Sequence, residues 1–226
     1  YPVTYSHAGH GTTLSARYAQ TARASFCCTK TIASTTQPSI PALVSRGIIT
    51  AAAEPEPPQP ISGPVPAPRL GLVHWSTRIP YTSDLIFRPD KTLARSEHET
   101  TWTSSHPPSP NKPGLTLVHA QIGGWLRGST TGLRTMYHIT TEPTAASPFP
   151  QLIFILTPTS KELAKNLSRI TLSIAPPDTG GQLLGLQILT PSGDTITYDF
   201  TEIQRPAVLN DSEFTPPLRG DSSTQP

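Results

Sequence analysis

Cysteine is almost absent. The only two, Cys27 and Cys28, are adjacent. Neighbouring cysteines bond to each other only through strained geometry, so the pair offers no disulfide framework, and its spacing suits no zinc site. They read as two small side chains at a helix end. Charge is also scarce: 14% of residues are Asp, Glu, Lys or Arg, and the formal net charge is +2. That leaves no strong field to draw in nucleic acid or an anionic membrane. No apolar run approaches the ~20 residues of a membrane-spanning helix. The longest, Leu152-Ile153-Phe154-Ile155-Leu156, is only strand length. No Gly-x-Ser-x-Gly elbow and no phosphate-cradling glycine loop occurs. His7 and His10 fall short of the three or four convergent ligands a metal needs, so neither a metal nor a cofactor is expected.

Proline is abundant instead, at 27 of 226 residues, with 35% hydrophobic residues. Together with the many Ser and Thr, this favours long loops and β-structure over helix bundles. The length suits one large or two small domains. Residues 1–13 are polar and read as a flexible N-terminus. Residues 14–28 lack Gly and Pro, and Tyr18, Ala22 and Phe26 recur four apart, which predicts a helix. Residues 42–52 read as a strand. Residues 54–68 read as a Pro-rich solvent loop, because proline cannot feed a sheet ladder. Short strands are expected at 69–77 and 85–87, a hairpin at 92–96 and 98–103, and a second Pro-rich loop at 104–113. Leu115, Val118, Ile122 and Trp125 recur at helical spacing, although Gly123-Gly124 weakens that helix. A strand at 133–139, a Thr/Pro-rich loop at 140–150 and a helical turn at 160–167 complete the middle. Residues 218–226 are a polar tail. Its Arg219-Gly220-Asp221 reads as coincidence, as do the glycosylation sequons at Asn166 and Asn210.

The strongest pattern lies from Gln151 to Phe214. Ile170, Leu172 and Ile174 alternate with polar residues, and Leu184, Leu186 and Ile188 share a face. Ile196, Tyr198 and Phe200 follow after the turn Pro191-Ser192-Gly193-Asp194. Period-two alternation places one face against apolar material and the other in water. Gly and Asp at strand ends are what tight turns favour. The result is an antiparallel meander with one apolar face. Upstream, Arg69, Gly71, Val73 and Trp75 share a strand face, and an Arg among apolar neighbours needs carbonyls for its donors.

These residues together resemble the LolA-type periplasmic lipoprotein carriers. The family pattern is Arg-Pro-x-x-Phe-x-Trp with a proline five residues after the Trp. Arg69, Val73, Trp75 and Pro80 fall at those spacings, followed by Asp84-Leu85-Ile86-Phe87 and Pro89-Asp90-Lys91-Thr92-Leu93. Phe154-Ile155-Leu156-Thr157-Pro158 is similar to a family strand ending in Leu-x-Pro. The meander with its Gly193-Asp194 turn and the Leu209-x-Asp211-x-x-Phe214 ending follow in order. Ala24-Ser25-Phe26 with Lys30-Thr31 resembles the family's first helix and the stretch after it. The chain departs from the pattern at Leu70, where a Pro is usual, at Val73 for Phe, and at Cys27-Cys28 for Gln. The insert at 54–68 is longer than the usual hairpin. These departures lean toward a divergent branch.

The resemblance implies an α+β fold. A curved, unclosed antiparallel β half-barrel is covered by a lid of helices at 14–28, 115–126 and 160–167, in a single carrier domain spanning 14–217. It implies a non-enzymatic periplasmic carrier that shields acyl chains and shuttles lipoproteins from inner to outer membrane. An inner-membrane exporter and an outer-membrane acceptor would be its partners, along with the acylated cargo. A monomer without nucleic acid is expected. The chain starts at Tyr1 without a leader, which the periplasmic reading takes as removed or outside the fragment. Arg69 is implied to latch the lid by donating to its carbonyls, with Val73 and Trp75 beside it. Leu85, Phe87, Leu172, Ile174, Leu186, Ile188, Tyr198 and Phe200 are candidate cavity lining. A LolA-like carrier of another lipid, a glycolipid or polyene, is the alternative. A hydrolase built from scattered Ser, His and Asp, or an envelope structural module, remains a further reading.

Overall fold

The computed structural model describes residues 3–7, 10–14, 21–33, 42–53, 71–106, 115–129, 133–143, 151–205, 207, 209 and 211–216. Arg69, the insert at 54–68, most of the 104–113 loop, Asn210 and the tail at 218–226 lie outside them. Strands β1 (Val3–His7) and β2 (His10–Leu14) pair as a hairpin where a flexible N-terminus was expected. The main body is an eleven-stranded, wholly antiparallel sheet. Its first half comprises β3 (Thr21–Thr31), β4 (Leu43–Ala52), β5 (Leu72–Ile79), β6 (Ser83–Phe87), β7 (Thr92–Ser96) and β8 (Thr103–Ser105). The second comprises β9 (Tyr137–Pro143), β10 (Leu152–Pro158), β11 (Arg169–Ile174), β12 (Leu183–Leu189) and β13 (Thr195–Gln204). The helices are α1 (Leu115–Leu126), α2 (Leu133–Met136) and α3 (Lys161–Ala164), with 3-10 turns at Pro177–Thr179 and Asp211–Phe214.

Strand order is β8-β7-β6-β5-β4-β3-β13-β12-β11-β10-β9. Two consecutive meanders therefore meet at the central β3–β13 pair, and β8 and β9 are the free edges. The sheet is open, and the fold is an α+β half-barrel.

One face carries the core. Paired residues share a face, so the register writes the core as rows across the sheet. Cys28, Tyr198, Leu186, Leu172 and Phe154 form one row, and Ile196, Ile188, Ile170, Leu156 and Ile139 form the next. Ala24, Ile49, Trp75 and Leu85 make another. Each fully buried aliphatic or aromatic side chain contributes about 1.5–3 kcal/mol by leaving water. These rows are therefore what drive folding.

Three further expectations fail. The helix expected over 14–28 is replaced in the described residues by strands: Leu14 ends β2, and from Thr21 the chain is strand β3, with Ala22, Ala24, Phe26 and Cys28 buried. A spacing of four fits both a helix turn and a strand face, and the intervening Arg23, Ser25 and Cys27 reveal period two. The lid therefore loses its first helix. The strand expected at 133–139 begins as α2, and extended structure starts at Tyr137. Leu184 is only partly buried, whereas Leu183 reaches the core. Ile174 pairs with Leu183 while Ser173 pairs with Gly185, so a bulge inserts Leu184 and breaks the alternation.

Helix α1 forms where its apolar spacing predicts. It packs against β3, β4 and β5. Leu117, Val118, Ala120, Ile122 and Leu126 are all buried. The turn expected at 160–167 is α3, capped by Ser160, whose Oγ accepts from the Leu163 N–H at 3.2 Å. Leu163 and Leu167 are buried in the same core.

Candidate functional site

The approach of α1 to the sheet is set by glycine. A Cβ at Gly123 would collide with Val73 Cγ2 and stand 3.1 Å from Ala51 Cβ. Only glycine lets the helix lie this close. One turn earlier on the same helix, His119 sits over Trp75 and Tyr198. The Trp75 indole Nε1 donates to the His119 carbonyl at 3.2 Å, and His119 Nε2 lies 2.8 Å from Tyr198 Oη. Ring centroids stand 5.3 Å apart for Trp75–His119, 5.3 Å for Trp75–Tyr198 and 5.0 Å for Phe26–Trp75. Phe200 stacks parallel to Tyr198 at 6.3 Å. Four rings of the sheet thus gather around His119 of the helix, mostly in the edge-on and stacked geometries their quadrupoles prefer.

Burial sets the electrostatics here. It pulls the His119 imidazole down to about 4, so the ring is neutral. It pushes the Tyr198 phenol well up, reinforced by the Cys28 thiol, and raises the Cys28 thiol against hydrogen bonds with Tyr198 and Ser45. On the far side of α1, Tyr137 Oη donates to Gln121 Oε1 at 2.9 Å, and burial raises this phenol too. A wall of neutral polar groups inside an apolar face orients side chains without charging them. Arg127, 3% exposed, follows α1 at its C-terminal end, where a cation favours the helix dipole. A Cβ on Gly71, at φ +74°, would come 3.1 Å from Arg127 Nη2.

Val73, Trp75, Phe87, Leu172, Leu186, Ile188, Tyr198 and Phe200 are all buried in this one cluster. Leu85 and Ile174 are partly buried and packed against it. These ten residues thus share a single face, with Val73 and Trp75 directly beneath α1, while Arg69 lies outside the described residues. Sequence reasoning missed His119. Its position four after Leu115 and three before Ile122 puts it on the apolar stripe, which was the available signal. It also missed the cross-strand pairing of Cys28 with Tyr198.

Among the described residues, the outer face holds a dense polar cluster around Asp84. Asp84, itself buried, accepts from Ser76 Oγ at 2.7 Å and Arg95 Nη2 at 3.2 Å, and its Oδ1 lies 3.1 Å from His74 Nε2. Arg95 also lies over the Trp102 ring at 5.0 Å. Burial opposes ionisation of Asp84, but the bonds from His74, Ser76 and Arg95 and the charge of Arg78 outweigh it. Its carboxyl is held well below the usual carboxylate range. Although Ser, His and Asp meet here, Ser76 and His74 both end on the same Asp84 oxygen. A nucleophile needs the imidazole between hydroxyl and carboxylate, so this cluster does not activate Ser76. Among the described residues no group of three or more His, Cys, Asp or Glu is placed to hold a metal. Among the described residues no helix is long and apolar enough to cross a membrane.

No family model and no curated protein matches the sequence. Among solved structures, the chain is similar to a DUF1329 family protein from Desulfovibrio piger, with TM-score 0.48 and 8% identity over 88% of this chain and 91% of that one. It is similar to a LolA superfamily protein from Nitrosomonas europaea, with TM-score 0.44 and 10% identity over 89% and 93% of the two chains. It is also similar to an outer-membrane lipoprotein-sorting protein domain from Vibrio parahaemolyticus, with TM-score 0.40 and 6% identity over 86% and 89%.

Proposed function

We propose that the protein is a carrier that shields lipid acyl chains against the inner face of its open sheet. The observation that carries this reading is the attachment of α1. Helix α1 covers β3, β4 and β5, and its polar ties to the strands include the Trp75–His119, His119–Tyr198 and Tyr137–Gln121 hydrogen bonds. Each is worth about 1 kcal/mol net. An acyl chain gains ~0.8 kcal/mol per buried methylene, on the order of ten in total. A lipid entering beneath α1 would replace the helix's own apolar contacts and more than offset these few hydrogen bonds. The half-barrel is also unclosed, so widening it breaks no ladder.

In this reading the cargo is acylated lipoprotein, moved through the periplasm from an inner-membrane exporter to an outer-membrane acceptor. The carrier acts as a monomer and breaks no bond. Val73 and Trp75 meet the lipid beneath α1, and Leu85, Phe87, Leu172, Ile174, Leu186, Ile188, Tyr198 and Phe200 line its path. Arg69 supplies further donors to the lid.

Mass spectrometry of protein purified gently from its native envelope tests the reading. Co-purified triacylated peptides support it. A free glycolipid or polyene would move the cargo to another lipid and leave the carrier standing. Protein that arrives without lipid, and takes up no fluorescent fatty acid in solution, would overturn it.

A further inference from the structure

Helix α1 runs along β5. His119 lies over Trp75, Gly123 over Val73, and Arg127 beside Gly71. Four helical residues and two strand residues advance by nearly the same length, about 6–7 Å, so the match is kept along the helix. The first turns of this track are polar. Pairing of β4, β3 and β13 places Ser45, Cys28 and Tyr198 side by side on the inner face. Cys28 and Tyr198 are buried, and Ser45 is half-buried near the start of β4. Farther along the track lie Ile49 beside Trp75, then Ala51, Val73 and Phe87 in one row. All four are buried and apolar.

His119 is the residue of α1 that answers the polar end. Its backbone carbonyl oxygen accepts from Trp75 Nε1 at 3.2 Å, and its Nε2 lies 2.8 Å from Tyr198 Oη. The sheet thus presents an indole N–H and a phenol hydroxyl, on rings 5.3 Å apart, and one helix residue engages both. Each of the two groups is neutral, and they suit an uncharged acceptor. Cargo that displaces α1 takes the His119 carbonyl away from the indole. A donor left without an acceptor in an apolar wall is costly. A hydrocarbon supplies no acceptor, whereas a carbonyl oxygen replaces the one removed.

We infer that Trp75 Nε1 and Tyr198 Oη form a binding site for the ester carbonyl oxygen of an acylated cargo, in the place that His119 holds in the structure. The acyl chain runs from the ester past Ile49 to Val73 and Phe87. The rest of the head group lies toward Ser45 and Lys30, which continues the inner face of β3 beyond Cys28. The inference rests on the carrier reading, in which cargo enters beneath α1.

Methyl myristate, isotope-labelled at its carbonyl, and pentadecane, both delivered from cyclodextrin to the whole chain, test it. The infrared band of the bound ester carbonyl should fall below its position in cyclohexane, the mark of a hydrogen-bonded carbonyl. Trp75→Phe and Tyr198→Phe should each cut the ratio of ester to alkane affinity about fivefold, and each should move the band back toward its cyclohexane position. The band in the parent protein needs no variant to fold. A bound ester that absorbs as it does in cyclohexane, or variants that keep the parent's ratio, would overturn the site and leave the carrier standing. If neither ligand binds, the carrier reading falls and the site falls with it.

Discussion

The indole N–H of Trp75 reaches from the sheet to the backbone carbonyl of His119 on α1, at 3.2 Å. A side chain of β5 thus holds the covering helix by its main chain, whatever residue stands at that helix position. Trp75→Phe keeps an aromatic ring and removes the donor. The expected loss is about 1–2 kcal/mol, combining one hydrogen bond with a smaller ring in the core. Urea unfolding midpoints will read it, and a variant as stable as the parent would show that the bond holds nothing.

The two glycines of α1 should respond in opposite directions. Gly123→Ala drives a methyl into Val73 and should cost about 1–3 kcal/mol. At Gly124 the nearest atom to an added Cβ is Ser129 Cβ at 3.8 Å. Gly124→Ala should therefore stabilise the helix by up to about 1 kcal/mol. Thermal melts of the pair decide whether glycine is needed for close approach at one position and not at the other.

Stability should depend on pH through His119. Its folded imidazole is pulled down to about 4 from an ordinary 6.5. Between those values the unfolded chain binds a proton that the folded chain does not, so stability rises with pH across that window. It is fully present above 6.5 and is lost as the pH falls toward 4. The slope is at most about 1.4 kcal/mol per pH unit. His119→Gln should flatten it. Asp84 acts lower: its contribution is present above its unfolded value of 3.8 and is lost below that as its carboxylate protonates.

Cys27 and Cys28 point to opposite faces of β3, Cys28 buried and Cys27 partly exposed. A thiol reagent should modify one cysteine per chain in the folded protein and two in denaturant. Cys28→Ser should leave the native count at one, and Cys27→Ser should bring it to none. Rapid double labelling of the folded chain would contradict the register of β3 against β13.

Much of the sheet was legible because alternation survives wherever strands run regularly. Ile170–Leu172 and Ile196–Tyr198–Phe200 gave both element and face. Reading failed where two periods coincide or where register breaks. Ala22 and Phe26 fit a helix as well as a strand, and only the polar residues between them distinguish the two. Leu184 looked like its neighbours until the bulge shifted it out. Val73 and Trp75 were found through spacing to Arg69 and Pro80. His119 was hidden because a histidine on an apolar stripe carries no sign of which strand it will meet. Its partners, Trp75 and Tyr198, are remote in sequence and adjacent only once β3 and β13 pair in the middle of the sheet.

That central pairing has a consequence for how the molecule is joined. The meander β3–β8 and the meander β9–β13 touch along the β3–β13 seam, where Thr21 Oγ1 also donates to the Ala207 carbonyl at 2.8 Å. Between them the polypeptide crosses only once, by the segment that contains α1, from one free edge of the sheet to the other. The chain is therefore two halves zipped together without a covalent bond at the centre and strapped once across the open side. Cutting the strap leaves complementary fragments with matched edges.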